Sequence, residues 1–199
     1  MSTSGIDVPD WQDVLDFWFG AEGSAEFGSQ RKLWWVKDEA VDLEIAARFG
    51  PTIEKALRGE LDAWSASAPG ALARIVLLDQ FTRNAFRGQP RAFAGDAQAL
   101  AAASAMVGAR LDENLAPFMR AFVYLPFEHA EGMAMQDEAV RLFTRLAATD
   151  PAVSPMLDYA HLHREVIEKF GRFPHRNPIL GRQSTVEELT YLARPGSGF

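Results

Sequence analysis

The sequence contains no cysteine, and it has almost none of the alternating patterns that predict β-strands. Without cysteine the chain forms neither a disulfide framework nor a thiolate metal site, which favours a reducing, cytoplasmic location. The amino terminus, MSTSGIDVPDW, lacks a basic region followed by an apolar stretch, so we expect no secretory signal. Apolar runs such as Ala121–Phe127 are far too short to cross a bilayer. We therefore expect a cytoplasmic protein that has no membrane partner.

Positive charge is also scarce. The chain has 20 lysines and arginines against 27 acidic residues, a formal net charge of -7. Such a field repels nucleic acid, so we expect no nucleic-acid partner. With 199 residues, 48% of them hydrophobic, the chain fits one globular domain. We predict a single helical domain over residues 1–199, with flexible ends at about 1–9 and 195–199; the sequence leaves the oligomeric state open.

Helix start and stop signals are dense along the chain. Asp10 is a typical N-cap residue, and Gly20 is a typical stop. Gly50-Pro51 and Pro126 should each end or interrupt a helix, and Asp96 should cap one. About nine helices are predicted, at approximately 11–19, 31–49, 52–64, 71–85, 97–107, 115–124, 127–148, 156–170 and after a capping box at 184–187. In antiparallel succession they predict an all-α fold of stacked helical hairpins.

A stripe of polar residues follows the fourth predicted helix, which is otherwise apolar around most of its circumference. Asp79, Arg83 and Arg87 are spaced i, i+4, i+8, and Gln80 and Asn84 lie beside them. One interpretation is a solvated face with an i,i+4 ion pair. If the stripe is covered instead, its charges need partners from elsewhere in the fold.

Two histidines and a glutamine also fall on faces that should be buried. His129 and Gln136 are i, i+7 on an apolar face, and His163 lies in the middle of another, whereas His161 is on the polar side. A lone inward histidine is more often a satisfied core residue than a ligand or a base. Two of them, with an inward glutamine and an arginine stripe, indicate a site.

The segment FGRFPHRN after the eighth predicted helix should form a rigid loop, because its prolines restrict the backbone. Arg172, His175, Arg176 and Asn177 would present several hydrogen-bond donors there. Arginine is suited to bidentate contact with a carboxylate or a phosphate. The alternative is a basic loop that neutralises helix C-termini.

Several specific chemistries are disfavoured. His161 and His163 are about 200° apart on one helix and cannot chelate the same metal ion, and His129 and Glu131 fail in the same way. The sequence has no HExxH or GxSxG motif and no glycine-rich phosphate loop. We expect no metal and no cofactor, and no catalytic residue is identified.

Three segments, Leu77–Asn84, Tyr124–Glu131 and Phe170–Asn177, resemble the signature blocks of a bacterial family, the domain of unknown function 924. The resemblance runs from about Val14 to Glu188. One departure is Ala130, where the second block would have serine. The resemblance implies a fold similar to tetratricopeptide-type α-α superhelices, and it implies no established activity, since a fold alone does not define a function.

These observations predict one site formed by residues far apart in the sequence. Its candidate residues are Asp79, Gln80, Arg83, Asn84, Arg87, His129, Gln136, His163, Arg172, His175, Arg176 and Asn177. The first hypothesis is that the site binds an anionic small molecule or a peptide carboxylate. A second is an enzyme in which His129, His163 or His175 acts as general acid or base and arginines stabilise negative charge. A third is a buried structural network, with the function in protein–protein contact.

Overall fold

The computed structural model describes residues 10–197, which form helices joined by short turns and contain no β-strand. Helix α3 has three contiguous segments: α-helical Ala68–Ile75, a π-helical turn at Val76–Phe81, and α-helical Thr82–Ala85. The other seven helices are α1 (Trp11–Phe19), α2 (Glu39–Leu57), α4 (Asp96–Gly108), α5 (Pro117–Glu128), α6 (Met133–Thr149), α7 (Ser154–Phe170) and α8 (Val186–Leu192). The predicted all-α class is confirmed, with eight helices in the described part of the chain instead of about nine. Of the ends predicted to be flexible, residues 1–9 and 198–199 lie outside the described residues. Residues 195–197 are described, and the hydroxyl of Ser197 donates to the carbonyl of Leu192 at 3.0 Å.

Two prolines lie inside helices that they were predicted to interrupt. The predicted end at Gly50-Pro51 is wrong, because α2 continues through it as one helix, and α5 likewise continues through Pro126. An internal proline removes one backbone hydrogen bond. Burial compensates for that loss in α2, where Phe49 and Ile53 on either side of the proline are both 0% exposed.

The predicted start of the second helix, at about residue 31, is also wrong. The side chains of this segment instead bind the C-terminal carbonyls of α1: the indole of Trp34 donates to the carbonyl of Trp18 at 2.8 Å, and Arg31 donates to the carbonyls of Trp18 and Phe17. Helix α2 begins only after Asp38, whose carboxylate accepts from the backbone N–H of Ala40. Long-range contacts therefore decide this boundary.

Two predicted caps differ by one residue from the observed ones. Asp96 is the first residue of α4 and does not cap it; the N-cap position is Gly95. The last helix does begin with a capping box, but the box consists of Thr185 and Glu188. In the first case the carboxylate of Asp96 is held by Arg83 and so is not available for capping.

Helix α3 is central to the fold, and α1, α2, α4 and α5 all pack on it. Helices α5, α6 and α7 then follow one another as packed neighbours. The π-helical turn interrupts the regular hydrogen-bond ladder, and the hydroxyl of Thr82 donates to the carbonyl of Leu78 at 2.7 Å. No helix in residues 10–197 is both long enough and apolar enough to cross a membrane.

Candidate functional site

The π-helical turn of α3 places Asp79 in the interior, where its side chain is 1% exposed. Its carboxylate oxygens lie 2.8 and 3.0 Å from Nδ1 of His129. Burial alone would raise the pKa of Asp79, but Arg83 and His129 hold it well below its ordinary value. A carboxylate can only accept, so Nδ1 of His129 carries the hydrogen. Burial and Arg83 lower the pKa of His129 despite the nearby carboxylate, so this imidazole is neutral at pH 7.

Arg83 connects Asp79 to helix α4. Its guanidinium makes two hydrogen bonds to the carboxylate of Asp96, at 2.9 and 3.1 Å, and lies 3.2 Å from the carboxylate of Asp79. This is the ion pair expected from the i,i+4 spacing, but the pair is covered by protein instead of facing solvent. Sequence analysis assigned Asp96 only to a helix cap and so missed its place in the site.

Arg176 approaches the same Asp96 from the FGRFPHRN loop, at 3.4 Å. Its guanidinium packs against the rings of Phe93 and Phe173, 4.9 and 4.5 Å from their centroids, and the residue is 6% exposed. Burial and the charge of Arg83 lower the pKa of Arg176 to about 10. The loop and the α3 stripe therefore meet, although they are far apart in the sequence.

The C-terminal end of α5 presents Glu128, its last residue, and His129, its C-cap, to this cluster. The amide of Gln136 in α6 donates to the carbonyls of Glu128 and Ala130, both at 2.7 Å. These carbonyls are at the C-terminal end of α5, where the helix supplies no donor of its own. Gln136 is thus a residue that positions the turn, and its place on the buried face follows from that role.

Helix α7 contributes His163 to the cluster. Its Nδ1 lies 2.9 Å from the carbonyl oxygen of Tyr159 and 3.0 Å from Oε1 of Glu128. The rings of His163 and His129 have centroids 6.1 Å apart. Glu128 is only 3% exposed, and its other oxygen, Oε2, has no hydrogen-bond partner in the part of the chain that the structure describes. Sequence analysis missed Glu128; the signal available was an acidic residue ending an otherwise apolar run.

Glu131 fixes the loop against the turn after α5. It accepts a hydrogen bond from the backbone N–H of Phe173 at 2.8 Å and two from Arg182, at 2.6 and 2.9 Å. The ring of Phe173 then packs on His163 and on His175. Burial, Arg176 and the neighbouring histidines lower the pKa of His175 to about 4, so this ring is neutral at pH 7.

Four predicted site residues bind carboxylates that lie outside the cluster. Asn84 and Arg87 both bind Asp42 of α2, Arg87 through two hydrogen bonds at 2.5 and 2.7 Å. Arg172 and Asn177 both bind Glu188 at the start of α8. These contacts attach neighbouring elements to one another. Gln80 stays with the cluster and donates to Asp79 at 2.6 Å.

The Glu188 network should show in the acid stability of the protein. Two hydrogen bonds from Arg172, helped by the backbone N–H of Thr185, lower the pKa of Glu188 to about 2. The unfolded value is about 4.3. The folded pKa is the lower one, so the stabilisation is full above the unfolded value and is lost as the pH falls towards 2. We expect the urea midpoint of the wild type to exceed that of Glu188→Gln at about pH 6 and to converge with it at about pH 2. A constant difference across this range would contradict the assignment.

The structure thus brings together seven of the twelve predicted residues, with Gln136 as the support of one turn. The cluster consists of Asp79, Gln80, Arg83, His129, His163, His175 and Arg176. Carboxylates that sequence analysis did not include, Asp96, Glu128 and Glu131, complete it. These side chains come from α3 with its π-helical turn, the start of α4, the end of α5 and the turn after it, the middle of α7, and the FGRFPHRN loop. The class of protein is therefore an all-α fold with a largely buried network of carboxylates, histidines and arginines.

The chain belongs to the family described as bacterial protein of unknown function (DUF924), whose sequence profile matches residues 14–196. The chain is similar to the solved structure of a protein of unknown function, ATU0120, from Agrobacterium tumefaciens. That match has 39% sequence identity and a TM-score of 0.79, and it covers 92% of this chain and 96% of that chain. No curated protein matches the chain. The family resemblance predicted from the three sequence blocks is confirmed, and function must be argued from the site itself.

Proposed function

We propose that the protein binds a small anionic ligand, a carboxylate or a phosphate, with Arg176 as the principal contact. The main observation that supports this proposal is the incomplete pairing of Arg176 with carboxylates. Arg83, Arg87, Arg172 and Arg182 each make two hydrogen bonds to one carboxylate. Within residues 10–197, Arg176 has a single ion pair, at 3.4 Å, and its buried Nε has no hydrogen-bond partner. A buried guanidinium with spare donors favours an anion.

The surroundings of Arg176 support the same ligand chemistry. The rings of Phe93 and Phe173 hold the guanidinium in place, which reduces the entropy lost on binding. Burial and the positive charge of Arg83 lower the pKa of Arg176 because both disfavour the charged guanidinium. A bound anion would offset this cost. His175 is neutral at pH 7, and a neutral imidazole still offers one N–H donor.

A comparison of Arg176→Gln with Arg87→Gln tests this proposal, since each variant removes one positive charge. In the wild type we expect inorganic phosphate or malonate, at about 100 times the Kd, to add about 2.7 kcal/mol. For a domain of this size that raises Tm by about 5–10 °C. The shift should be lost in Arg176→Gln and kept in Arg87→Gln, whose guanidinium is engaged by Asp42. No shift in the wild type, or an equal shift in both variants, would contradict the proposal.

Stability without ligand provides a second readout. Because burial and Arg83 already disfavour the charge of Arg176, Arg176→Gln should leave the ligand-free protein as stable as the wild type or slightly more stable. Residues of binding sites commonly lower the stability of the ligand-free protein. A large loss of stability in this variant would assign Arg176 to the scaffold.

The contact of Asp79 with His129 favours a second candidate function. A buried carboxylate that holds Nδ1 of a neutral imidazole leaves Nε2 as the basic nitrogen, which is the arrangement of a general base. Arg83 and Arg176 would then stabilise the developing negative charge. The third hypothesis is a structural network. The contact of Arg87 with Asp42 and the contact of Arg172 with Glu188 support it for these two arginines.

The type of helical superhelix and the cellular location remain predictions. The consecutive packing of helices α3 to α7 supports a tetratricopeptide-type superhelix. The lack of cysteine supports a cytoplasmic location.

A further inference from the structure

Glu128, His129 and His163 bring three side chains of metal-ligand type together beside Asp79. One carboxylate oxygen and one nitrogen from each histidine lie within 4.8 Å of one another. Glu128 and His129 come from the C-terminal end of α5, and His163 comes from α7. Because the three residues belong to two separate helices, the helical spacing that excludes His161 with His163 and His129 with Glu131 does not apply to them.

The two histidines are held by acceptor groups. Nδ1 of His163 lies 2.9 Å from the carbonyl oxygen of Tyr159 and 3.0 Å from Oε1 of Glu128. Nδ1 of His129 contacts the carboxylate of Asp79, which only accepts hydrogen bonds, so this nitrogen carries the hydrogen and Nε2 carries the lone pair. Metal-ligating histidines typically donate their second ring N–H to a carboxylate or a backbone carbonyl, which fixes the tautomer and the ring orientation.

Glu128 provides an independent reason to expect a cation. Its Oε1 is 3.0 Å from Nδ1 of His163, whereas Oε2 is buried without a hydrogen-bond partner among the described residues. Leaving a buried charged group unsatisfied costs more than leaving a neutral one. A metal ion at Oε2 would supply the missing partner.

The charge balance of the cluster also favours a cation at this end. Asp79, Asp96 and Glu128 outnumber the two guanidiniums, Arg83 and Arg176, and the neighbouring Glu131–Arg182 pair is neutral overall. The cluster is therefore bipolar, with Glu128, His129 and His163 at the α7 side and the contact of Arg176 with Asp96 at the loop side. A divalent ion offsets the acidic excess that would otherwise oppose an anion near Arg176.

We propose that the carboxylate of Glu128 and one ring nitrogen each of His129 and His163 bind one divalent transition-metal ion. Bonds to such an ion are about 2.0–2.2 Å long, so binding would draw the three ligand atoms, now within 4.8 Å of one another, closer together. Two imidazoles and one carboxylate suit zinc or a neighbouring first-row metal, whereas magnesium and calcium prefer oxygen ligands. Three protein ligands leave positions open to water or to a ligand oxygen.

Titration of the chelator-treated full-length protein with zinc chloride, followed by calorimetry, tests the site. We expect one zinc ion per chain. Glu128→Gln, which preserves shape, and His163→Ala should each weaken binding by about 100-fold or more. Asp79→Asn should weaken it by about 10-fold, because it loosens the orientation of His129. His161→Ala is the matched control: it removes an exposed histidine from the same helix and should leave the affinity unchanged.

The visible absorption of bound cobalt(II) distinguishes loss of a metal ligand from misfolding of a variant. The wild type should give visible d–d absorption typical of nitrogen and oxygen ligands, and Glu128→Gln should lose it while keeping its helical circular dichroism. Absence of stoichiometric binding, or wild-type affinity in Glu128→Gln, would overturn the proposal. The metal site does not rest on the proposed anion binding: Arg176→Gln should keep zinc binding, so either proposal can fail alone.

Discussion

Replacing Gly95 by alanine is expected to destabilise the protein by about 3 kcal/mol or more, or to prevent folding. A Cβ atom at this position would lie 2.3 Å from the carbonyl oxygen of Leu78 and 2.9 Å from its carbonyl carbon and Cα. Leu78 is in the π-helical turn, in the centre of the buried face of α3. These are backbone atoms, so no side-chain rotation can relieve the collision, and α4 would have to move away from α3.

Gly108→Ala is the matched control, because this glycine ends the same helix that Gly95 caps. A Cβ at Gly108 meets nothing within 4 Å. Alanine has the higher helix propensity, so we expect this variant to be stabilised by up to about 1 kcal/mol. Urea unfolding of both variants measures the difference. Equal stabilities would show that the close approach at Leu78 is not required for folding.

The same close approach positions part of the site. Asp96 directly follows Gly95, and its carboxylate reaches Arg83 only because the start of α4 lies against the π-helical turn. Where Gly95→Ala still folds, the contacts of Asp96 with Arg83 and Arg176 should be lost first. A reduced phosphate response in such a variant would connect the packing of these helices to the proposed anion site.

Local signals in the sequence predicted many helix ends correctly. Asp10 caps α1 with hydrogen bonds to two backbone N–H groups, and Gly20 ends the helix with positive φ. Gly171 ends α7 in the left-handed conformation. In each case the interaction lies within one turn of the residue, so the local pattern contains the information. The strong local signals at Gly50-Pro51 and Pro126 failed because long-range burial outweighed them.

Most of the cluster could be predicted because polar residues on apolar faces need partners. Asp79, Arg83, His129 and His163 were identified in this way. The need for a partner does not tell which neighbouring helix each side chain faces. Asn84 and Arg87 belong to the same stripe, yet they face α2 and bind Asp42. Which acidic residue partners which arginine depends on how the helices pack, and the sequence offers 27 acidic candidates.

Arg83→Ala should cost about 3–5 kcal/mol, because it leaves Asp79 buried without its arginine partner. The carboxylate is 1% exposed, and Arg83 is a principal reason that its pKa stays below the ordinary value. Asp96 would lose both hydrogen bonds from Arg83 and keep only the contact with Arg176 at 3.4 Å. Protonation of Asp79 in the variant would limit the loss, so the deficit should shrink as the pH is lowered.

Arg87→Ala, four residues further along and just beyond the end of α3, is the control for this effect. Arg87 also pairs with a carboxylate through two hydrogen bonds, but its side chain is 36% exposed. Water replaces the partner of an exposed pair, so we expect a loss of no more than about 1 kcal/mol. Urea unfolding of the two variants at pH 7 separates a buried from a solvated ion pair on the same stripe. A loss below about 1 kcal/mol in Arg83→Ala would mean that Asp79 does not depend on this arginine. The guanidinium of Arg83 would then join Arg176 as a donor for the anion.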